Sequence, residues 1–305
     1  MSQNLLVVGS VAFDGIETRA GKRDEILGGA ATYISLAASR YCQVQLVAVV
    51  GENDFPDEHT RMLADRGVDL AGLERVPGRT FRWAGVYAND FSSRKTLDTQ
   101  LGVFASFRPK VPAAYASSKY IMLGNINPEL QLAVLDAVQG GHFVAMDTMN
   151  LWIETARDAL GAVMRRTDLL TINDEEAFLL TGERQIARAA TEIRKMGPKA
   201  VIIKRGEHGA FLFHEDGVFF APAFLLEEVV DPTGAGDSFA GGLLGHVASE
   251  DRTDLAALGR GMLCGAAIAS ATCEAFGVDR TARITREEID KRVATLRALT
   301  VVDRT

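Results

Sequence analysis

Short apolar runs that alternate with helical stretches limit the fold of this chain more than any other feature. The runs are rich in Val, Ile and Leu and occupy residues 4–10, 44–51, 119–125, 142–147, 168–173 and 200–206. Most are continuous rather than alternating in hydrophobicity, which is typical of strands buried on both faces of a sheet. Between them, the apolar spacing in 29–41 and the Pro start and Gly end of 128–140 predict helices. This order predicts right-handed βαβ crossovers and a mostly parallel sheet with helices on both sides.

One section interrupts the alternation and predicts a small β lid. Residues 79–104 have no helical period and indicate two strands around a turn at 89–93, and residues 11–20 are also irregular. We therefore expect a lid formed by about 11–20 and 72–108, inserted into a single domain that spans 1–305. A chain of 305 residues is long for one domain, but α/β folds reach this length around one core.

Charge and composition argue against several classes of partner. The net charge of −7 disfavours nonspecific nucleic-acid binding, which needs a positive surface to displace counterions. Cys42, Cys264 and Cys273 form no CxxC pair, so we expect reduced core thiols in a cytoplasmic protein. The N-terminus lacks the basic segment of a signal peptide. The small-residue run 261–273 is too short to span a bilayer, so we expect no membrane partner and a tightly packed helix there.

The run VVDPTGAGDSFAGGLL at 229–244 indicates an anion site with an acid behind it. Gly234 and Gly236 leave backbone N–H groups unobstructed at the start of an apolar helix, where the unpaired amides and the helix dipole favour anions. Asp237 in the first turn fits two roles. It is either a helix-capping carboxylate or a base that accepts a proton from an attacking hydroxyl.

Other nucleotide-binding signatures are absent from the sequence. The glycine loop has no Lys and does not match the Walker A pattern, and the segment after the first strand lacks the spacing of a Rossmann GxGxxG motif. A P-loop enzyme is therefore not expected, and a dehydrogenase is the weakest of the functions we consider.

Three motifs together resemble the ribokinase-like (PfkB) carbohydrate kinase family. DPTGAGDSF at 231–239 matches its C-terminal signature, GG at 28–29 matches its N-terminal glycine motif, and NDEE at 173–176 matches its N-x-x-E motif. Their order and separations also fit, and the resemblance covers nearly the whole chain. It implies a three-layer α/β/α sandwich with a β lid, and ATP-dependent phosphorylation of a hydroxyl on a sugar or nucleoside.

The resemblance also implies roles for residues around the nucleotide. Asp237 becomes the general base, and Gly234, Ala235 and Gly236 form the anion hole for the transferred group. The remaining residues implied in nucleotide and metal binding are Asn173 and Glu176 for Mg²⁺ and its water, Lys204 and Gly206 along the nucleotide, and Asp231 and Thr233 for a monovalent cation such as K⁺. Alternatives stay open, because Asn173 also suits a helix cap and Lys204 also suits a solvated strand end.

A second set of residues is expected to bind the substrate. Its members are Asp14, Gly28, Gly29, Tyr33, Asn125 and Asp147. Asp14 matches the substrate-hydroxyl Asp of the family, and a carboxylate accepts two hydrogen bonds from neighbouring hydroxyls; the alternative is a turn Asp before Gly15. Tyr33 stands where many members carry Asn, and the segment around Asp147 lacks the Arg of many relatives. Both departures leave the identity of the substrate open.

Our first expectation for the substrate is a sugar or cyclic polyol, and the alternative is a nucleoside. The nucleoside depends on lid aromatics that suit base stacking, namely Phe81, Trp83, Tyr87 and Phe91. A catalytically silent, nucleotide-binding relative is a further possibility. The resemblance also implies a homodimer in which exposed lid strands pair, which would hide a sheet edge.

Overall fold

A computed structural model describes residues 3–91, 93–140 and 142–301 of the chain. Within them, a nine-stranded sheet forms the centre, in the order β13-β12-β11-β10-β9-β8-β1-β4-β5. Its strands are β1 Leu5–Val8, β4 Val44–Gly51, β5 Val68–Val76, β8 Tyr120–Leu123, β9 Phe143–Asp147, β10 Leu169–Asn173, β11 Ala200–Lys204, β12 Ala210–His214 and β13 Gly217–Ala221. The strands from β5 to β11 in this order pair in parallel, and β12 and β13 add an antiparallel hairpin at one edge.

Helices cover both faces of this sheet. The helices are α1 Ala30–Ala38, α2 Asp57–Asp65, α3 Pro128–Ala137, α4 Asn150–Thr155, α5 Arg157–Met164, α6 Asp174–Thr181, α7 Ile186–Lys195, α8 Ala235–Glu250, α9 Leu255–Thr272, α10 Asp279–Arg283 and α11 Arg286–Ala298. One apolar core joins the sheet to α1, α2 and α8 to α11, and a second core joins the other face to α3 to α7. The predicted mostly parallel α/β/α sandwich is therefore confirmed.

The lid is a separate four-stranded sheet. Its order is β3-β2-β6-β7, with β2 Ala12–Thr18, β3 Gly21–Gly28, β6 Phe81–Tyr87 and β7 Arg94–Gln100. The two strands predicted in 79–104 are confirmed, although residue 92 of the predicted turn lies outside the described residues. The lid limits differ from those expected, because the strand at 21–28 belongs to the small sheet while 72–76 completes β5 of the large sheet.

Helix α9 is longer than its apolar run suggested. The sequence predicted a helix too short to span a bilayer, but α9 has 18 residues and is apolar enough by length and composition to do so. About 72% of its apolar window is buried inside the fold, as in the core helix of a globular protein. Its neighbours explain the small residues, since a Cβ on Gly265 would approach the Phe239 carbonyl oxygen to 2.4 Å.

Candidate active site

The expected site residues collect at one edge of the large sheet. Asn125, Asp147, Asn173 and Lys204 lie at or just beyond the carboxyl ends of β8, β9, β10 and β11, which are consecutive neighbours in the sheet. Because the strands are parallel, these ends meet along the same edge, where α/β folds place their ligands. Gly206 follows β11 on the same edge, with φ +53°, and a Cβ added to it would meet no atom within 4 Å.

The glycine loop forms the N-terminus of α8. Gly234 is the N-cap residue with φ +76°, a left-handed conformation that favours glycine. A Cβ on Gly234 would lie 2.5 Å from three atoms of the Tyr33 ring, and one on Gly236 would lie 3.3 Å from Lys204 Nζ. The Ala235 N–H already donates to the Pro232 carbonyl at 3.2 Å, so the prediction that this amide is open is wrong. The other amides of this helix start, with the Lys204 ammonium beside them, fit the phosphate chain of ATP.

Asp237 lies in the first turn of α8 and is half-buried. Burial raises the pKa of its carboxyl to about 7, and the negative charges of Asp147 and Glu176 add to the rise. The Lys204 ammonium and the Arg94 guanidinium partly offset it. A carboxyl with a pKa near neutrality is matched to proton transfer at physiological pH.

Lys204 is half-buried and forms an ion pair with the buried Asp147. The Lys204 Nζ to Asp147 Oδ2 distance is 2.9 Å, and both side chains are largely shielded from solvent. Burial lowers the pKa of Lys204, but Asp147, Glu176 and Asp237 together raise it above its usual value, so the ammonium stays charged. The alternative of a solvated lysine is therefore wrong.

Asn173 and Glu176 form a capping box at the start of α6. The Glu176 N–H donates to Asn173 Oδ1 at 2.8 Å, and the Asn173 N–H donates to Glu176 Oε2 at 3.1 Å. The capping alternative for Asn173 is thus realised. Burial raises the pKa of Glu176 to about 7, with Asp147 adding to the rise.

The surroundings of Glu176 fit magnesium held largely by water. No group of three or more His, Cys, Asp or Glu side chains is placed to hold a metal within residues 3–91, 93–140 and 142–301. Magnesium in phosphoryl-transfer sites usually keeps several waters and binds one or two carboxylates plus the substrate phosphates. The charge of Asp147 is close enough to raise the pKa of Glu176, and a cation between the two carboxylates would relieve their repulsion.

Asp14, Gly28 and Gly29 form one unit at the lid side of the site. A Cβ on Gly28 would lie 1.9 Å from Asp14 Oδ2, so the glycine makes room for the carboxylate. Burial raises the pKa of Asp14 to about 7, Asp231 raises it further, and the Gly29 N–H lowers it by hydrogen bonding. Gly29 has φ +89° and begins α1. Asp14 is thus not a turn residue but a buried carboxylate within β2.

Tyr33 is almost completely buried beneath the glycine loop. Its exposed fraction is 1%, and its ring packs against Gly234. Burial raises the pKa of its hydroxyl, and Asp14 and Asp231 add to the rise. The hydroxyl has no hydrogen-bond partner among the described residues. The ring of Tyr33 therefore supports the glycine loop.

The segment Val230–Thr233 precedes the glycine loop and is held by backbone contacts. Asp231 Oδ1 accepts from the Thr233 N–H at 2.8 Å, and Oδ2 accepts from the Gly277 N–H at 3.2 Å. The Val230 N–H donates to the Cys273 carbonyl at 2.8 Å. These contacts fix the shape of the loop, and a role of Asp231 and Thr233 in cation binding stays a prediction.

The inner face of the lid contributes residues that the motifs did not identify. Asp14 on β2 pairs in register with Trp83 on β6, and Tyr87 on β6 pairs with Arg94 on β7. Residues paired in register, or two apart on a strand, share a face of the sheet. The Trp83 ring lies across Gly85, and the Arg94 guanidinium lies 5.1 Å above that ring.

Arg94 is a functional candidate that sequence reasoning missed. Its charge lowers the pKa of Asp14, Asp237 and Glu176 and of the Tyr87 hydroxyl. The one signal in the sequence was its position opposite Tyr87 across the predicted turn. Of the four lid aromatics, Phe81 instead stacks on Phe104, with ring centroids 5.6 Å apart, and so packs within the fold.

Asn125 is placed at the same edge but is already engaged. Its Oδ1 accepts a hydrogen bond from Trp152 Nε1 at 2.9 Å. Gln131 braces the neighbouring strand ends, since its Nε2 donates to the carbonyls of Gly124 at 2.9 Å and Asp147 at 3.2 Å. No pattern in the sequence indicated this bracing.

Comparison with known proteins agrees with this arrangement. The profile of the pfkB family carbohydrate kinases matches residues 2–283. The chain belongs to this family. It is a phosphotransferase, a sugar or nucleoside kinase of the PfkB family.

Three relatives illustrate the range of this PfkB kinase family. The cytidine kinase of Thermococcus kodakarensis is 33% identical over 248 residues, which cover 79% of this chain and 87% of the relative. The structure of Burkholderia thailandensis nucleoside kinase with inosine has a TM-score of 0.78 and 26% identity, covering 95% of this chain and 97% of that one. A ribokinase II from E. coli crystallised with ATP and Mg²⁺ has a TM-score of 0.79 at 20% identity, covering 96% and 99%.

Within this PfkB kinase, the geometry separates two halves of the reaction site. The helix start, Lys204 and Glu176 lie on the sheet side, where phosphate groups are favoured. Asp14 and Trp83 lie on the lid side, where hydroxyls and an aromatic face are favoured. Asp237 is electrostatically coupled to Asp14 on the lid side and to Lys204 on the sheet side, a placement that suits a base acting on a hydroxyl next to a phosphate.

Proposed function

We propose that this kinase transfers the γ-phosphoryl group of ATP to a hydroxyl of a nucleoside. The observation that carries the proposal is the register pairing of Asp14 with Trp83, which puts a carboxylate and a flat aromatic ring side by side on the inner lid face. A carboxylate accepts hydrogen bonds from two neighbouring hydroxyls, as in a ribose diol. An indole ring beside it suits stacking against a base, which would take the place of the Arg94 guanidinium above that ring. The nucleoside kinases among the relatives support this choice.

Three sets of protein groups take part in the proposed phosphoryl transfer. Asp237 accepts the proton of the attacking hydroxyl while the oxygen of that hydroxyl bonds to the γ-phosphorus and the bond to the β–γ bridging oxygen breaks. The amides of Gly234, Gly236 and Asp237 and the Lys204 ammonium stabilise charge on the phosphoryl oxygens. Glu176 would hold magnesium through water, and the ion would supply neutralisation of the phosphate charge.

A sugar or cyclic polyol, our first expectation, is supported less well. Asp14 suits a polyol as well as a ribose, but a small polyol has no aromatic ring to stack on Trp83 on the same face. A potassium ion at Asp231 and Thr233, a lid-mediated homodimer and a cytoplasmic location also remain proposals.

The test is ADP formation from ATP and Mg²⁺ with a panel of cytidine, uridine, adenosine, inosine, ribose and myo-inositol. We expect turnover with at least one nucleoside and a kcat/KM for it well above that for ribose. Trp83→Leu should lower kcat/KM for the nucleoside by about tenfold or more, in line with the loss of one stacking contact. The same change should leave the rate with ribose within about twofold.

Phe81→Leu is the matched control, since Phe81 is a lid aromatic that stacks on Phe104 within the fold, and it should leave the preference for the nucleoside over ribose unchanged. A preference for ribose or myo-inositol over every nucleoside would refute the nucleoside assignment. Tight ATP binding with no turnover on any acceptor would instead indicate a catalytically silent relative.

A further inference from the structure

The lid contacts both ends of the segment Val230–Thr233, which precedes the glycine loop. Thr18 Oγ1, at the end of β2, donates to the Val230 carbonyl at 2.7 Å. The Tyr87 hydroxyl, at the end of β6, is 3.0 Å from Thr233 Oγ1. The segment between these contacts, Val230–Thr233, leads directly into Gly234 of the anion hole.

We propose that Thr18 and Tyr87 are positioning residues that couple lid closure to the shape of the anion hole. The proposal rests on the kinase function, but it assigns these side chains to the loop rather than to the substrate. The other side of the segment is fixed by Asp231, whose carboxylate accepts from Thr233 and Gly277. The lid contacts therefore complete a brace around the segment.

The environment of Tyr87 suits this role. The side chain is half-buried, and burial raises the pKa of its hydroxyl, so it stays protonated at neutral pH. Thr233 lies one residue before the N-cap of α8, so its backbone leads directly to Gly234 and its amide. The geometry of an anion hole must be held closely, because donors act only near the position of the developing charge.

Tyr87→Phe tests the contact with little change in shape, because only the hydroxyl is removed. We expect kcat to fall by about fivefold, the equivalent of about 1 kcal/mol for one hydrogen bond. The KM for the nucleoside should change by less than about twofold. Thr233→Val should have a similar effect, and the double variant should be no slower than either single variant, since both remove the same contact.

Tyr120→Phe is the matched control. Its hydroxyl donates to Asp251 Oδ1 at 3.0 Å at the amino end of β8, whereas the site lies at the carboxyl end of that strand. Loss of this hydroxyl should leave kcat unchanged. Amide hydrogen exchange in 231–237 with nucleoside bound gives a second readout. Exchange there should be faster in Tyr87→Phe than in the wild type or in Tyr120→Phe.

Three results would overturn the proposal. A raised nucleoside KM with unchanged kcat in Tyr87→Phe would make Tyr87 a substrate contact. Additive losses in the double variant would show that the two hydroxyls act separately. Wild-type kcat together with wild-type exchange would show that the contact positions nothing. Failure of the kinase function itself appears differently, as a wild-type protein with no turnover on any acceptor.

Discussion

Replacing Asp237 with Asn should make the free protein more stable at pH 8 while it removes most of the activity. Burial and the nearby carboxylates raise the pKa of Asp237 from 3.8 to about 7. The folded state therefore holds a proton that the unfolded chain releases near pH 4. Because the folded state binds more protons between pH 4 and 7, the free energy of unfolding falls as the pH rises through this interval.

The size of the effect follows from the pKa shift. The full rise corresponds to about 4 kcal/mol above pH 7. Asp237 is half-buried, so solvent screens part of this energy, and Asn also loses a favourable interaction with the helix dipole. We therefore expect Asp237→Asn to exceed the wild type by about 1–2 kcal/mol at pH 8 and to match it near pH 4.5. Turnover should fall about 100-fold or more.

The assay is urea unfolding from pH 4.5 to 8 in buffer free of phosphate and nucleotide. Asp158→Asn is the control, because Asp158 also lies in the first turn of a helix but is exposed. Its gain in stability over the wild type at pH 8 should be smaller than that of Asp237→Asn. If Asp237→Asn is less stable than the wild type by the same amount at every pH, the raised pKa of Asp237 is refuted. Unchanged turnover in a folded variant would remove Asp237 from the role of base.

Two further changes test the sheet side of the site. Lys204→Met leaves the buried Asp147 unpaired, so the free energy of unfolding should fall by about 3 kcal/mol and the KM for ATP should rise; Lys199→Met, which breaks an exposed pair with Asp168, should cost under about 1 kcal/mol in the same urea assay. Glu176→Gln retains an oxygen for the capping contact but loses the charge, so titration of activity should need about tenfold more Mg²⁺, whereas the exposed Glu175→Gln should not. Equal losses of stability in Lys204→Met and Lys199→Met would contradict the role of Lys204. An equal Mg²⁺ requirement in Glu176→Gln and Glu175→Gln would contradict the role of Glu176.

Much of the large sheet was predictable because its inner strands are buried on both faces and leave continuous apolar runs. The strand β5 at one edge and the hairpin of β12 and β13 at the other were missed. Each has one face more open than the other, so their residues alternate in burial and include charged or exposed positions. Edge strands carry a weaker hydrophobic signal than central ones.

The local motifs of the site were predictable from the sequence, and the contacts between separate elements were not. Gly234, Gly236 and Asp237 are neighbours in the chain, so their chemistry can be inferred from a short motif. The ion pair of Lys204 with Asp147 and the charge of Arg94 over the carboxylates depend on how separate elements dock. No spacing in the sequence encodes such contacts, which is why they emerge only from the fold.

The lid is built from two stretches that leave the ribosome at different times. The β2–β3 hairpin is complete once residue 28 has emerged, but its inner strand pairs with β6, which ends at Tyr87. At ordinary rates of synthesis, about 5–20 residues per second, that edge waits several seconds for its partner. The nascent hairpin therefore presents an open strand edge. Chains that are truncated within β6 should therefore associate with one another through the unpaired edge of β2.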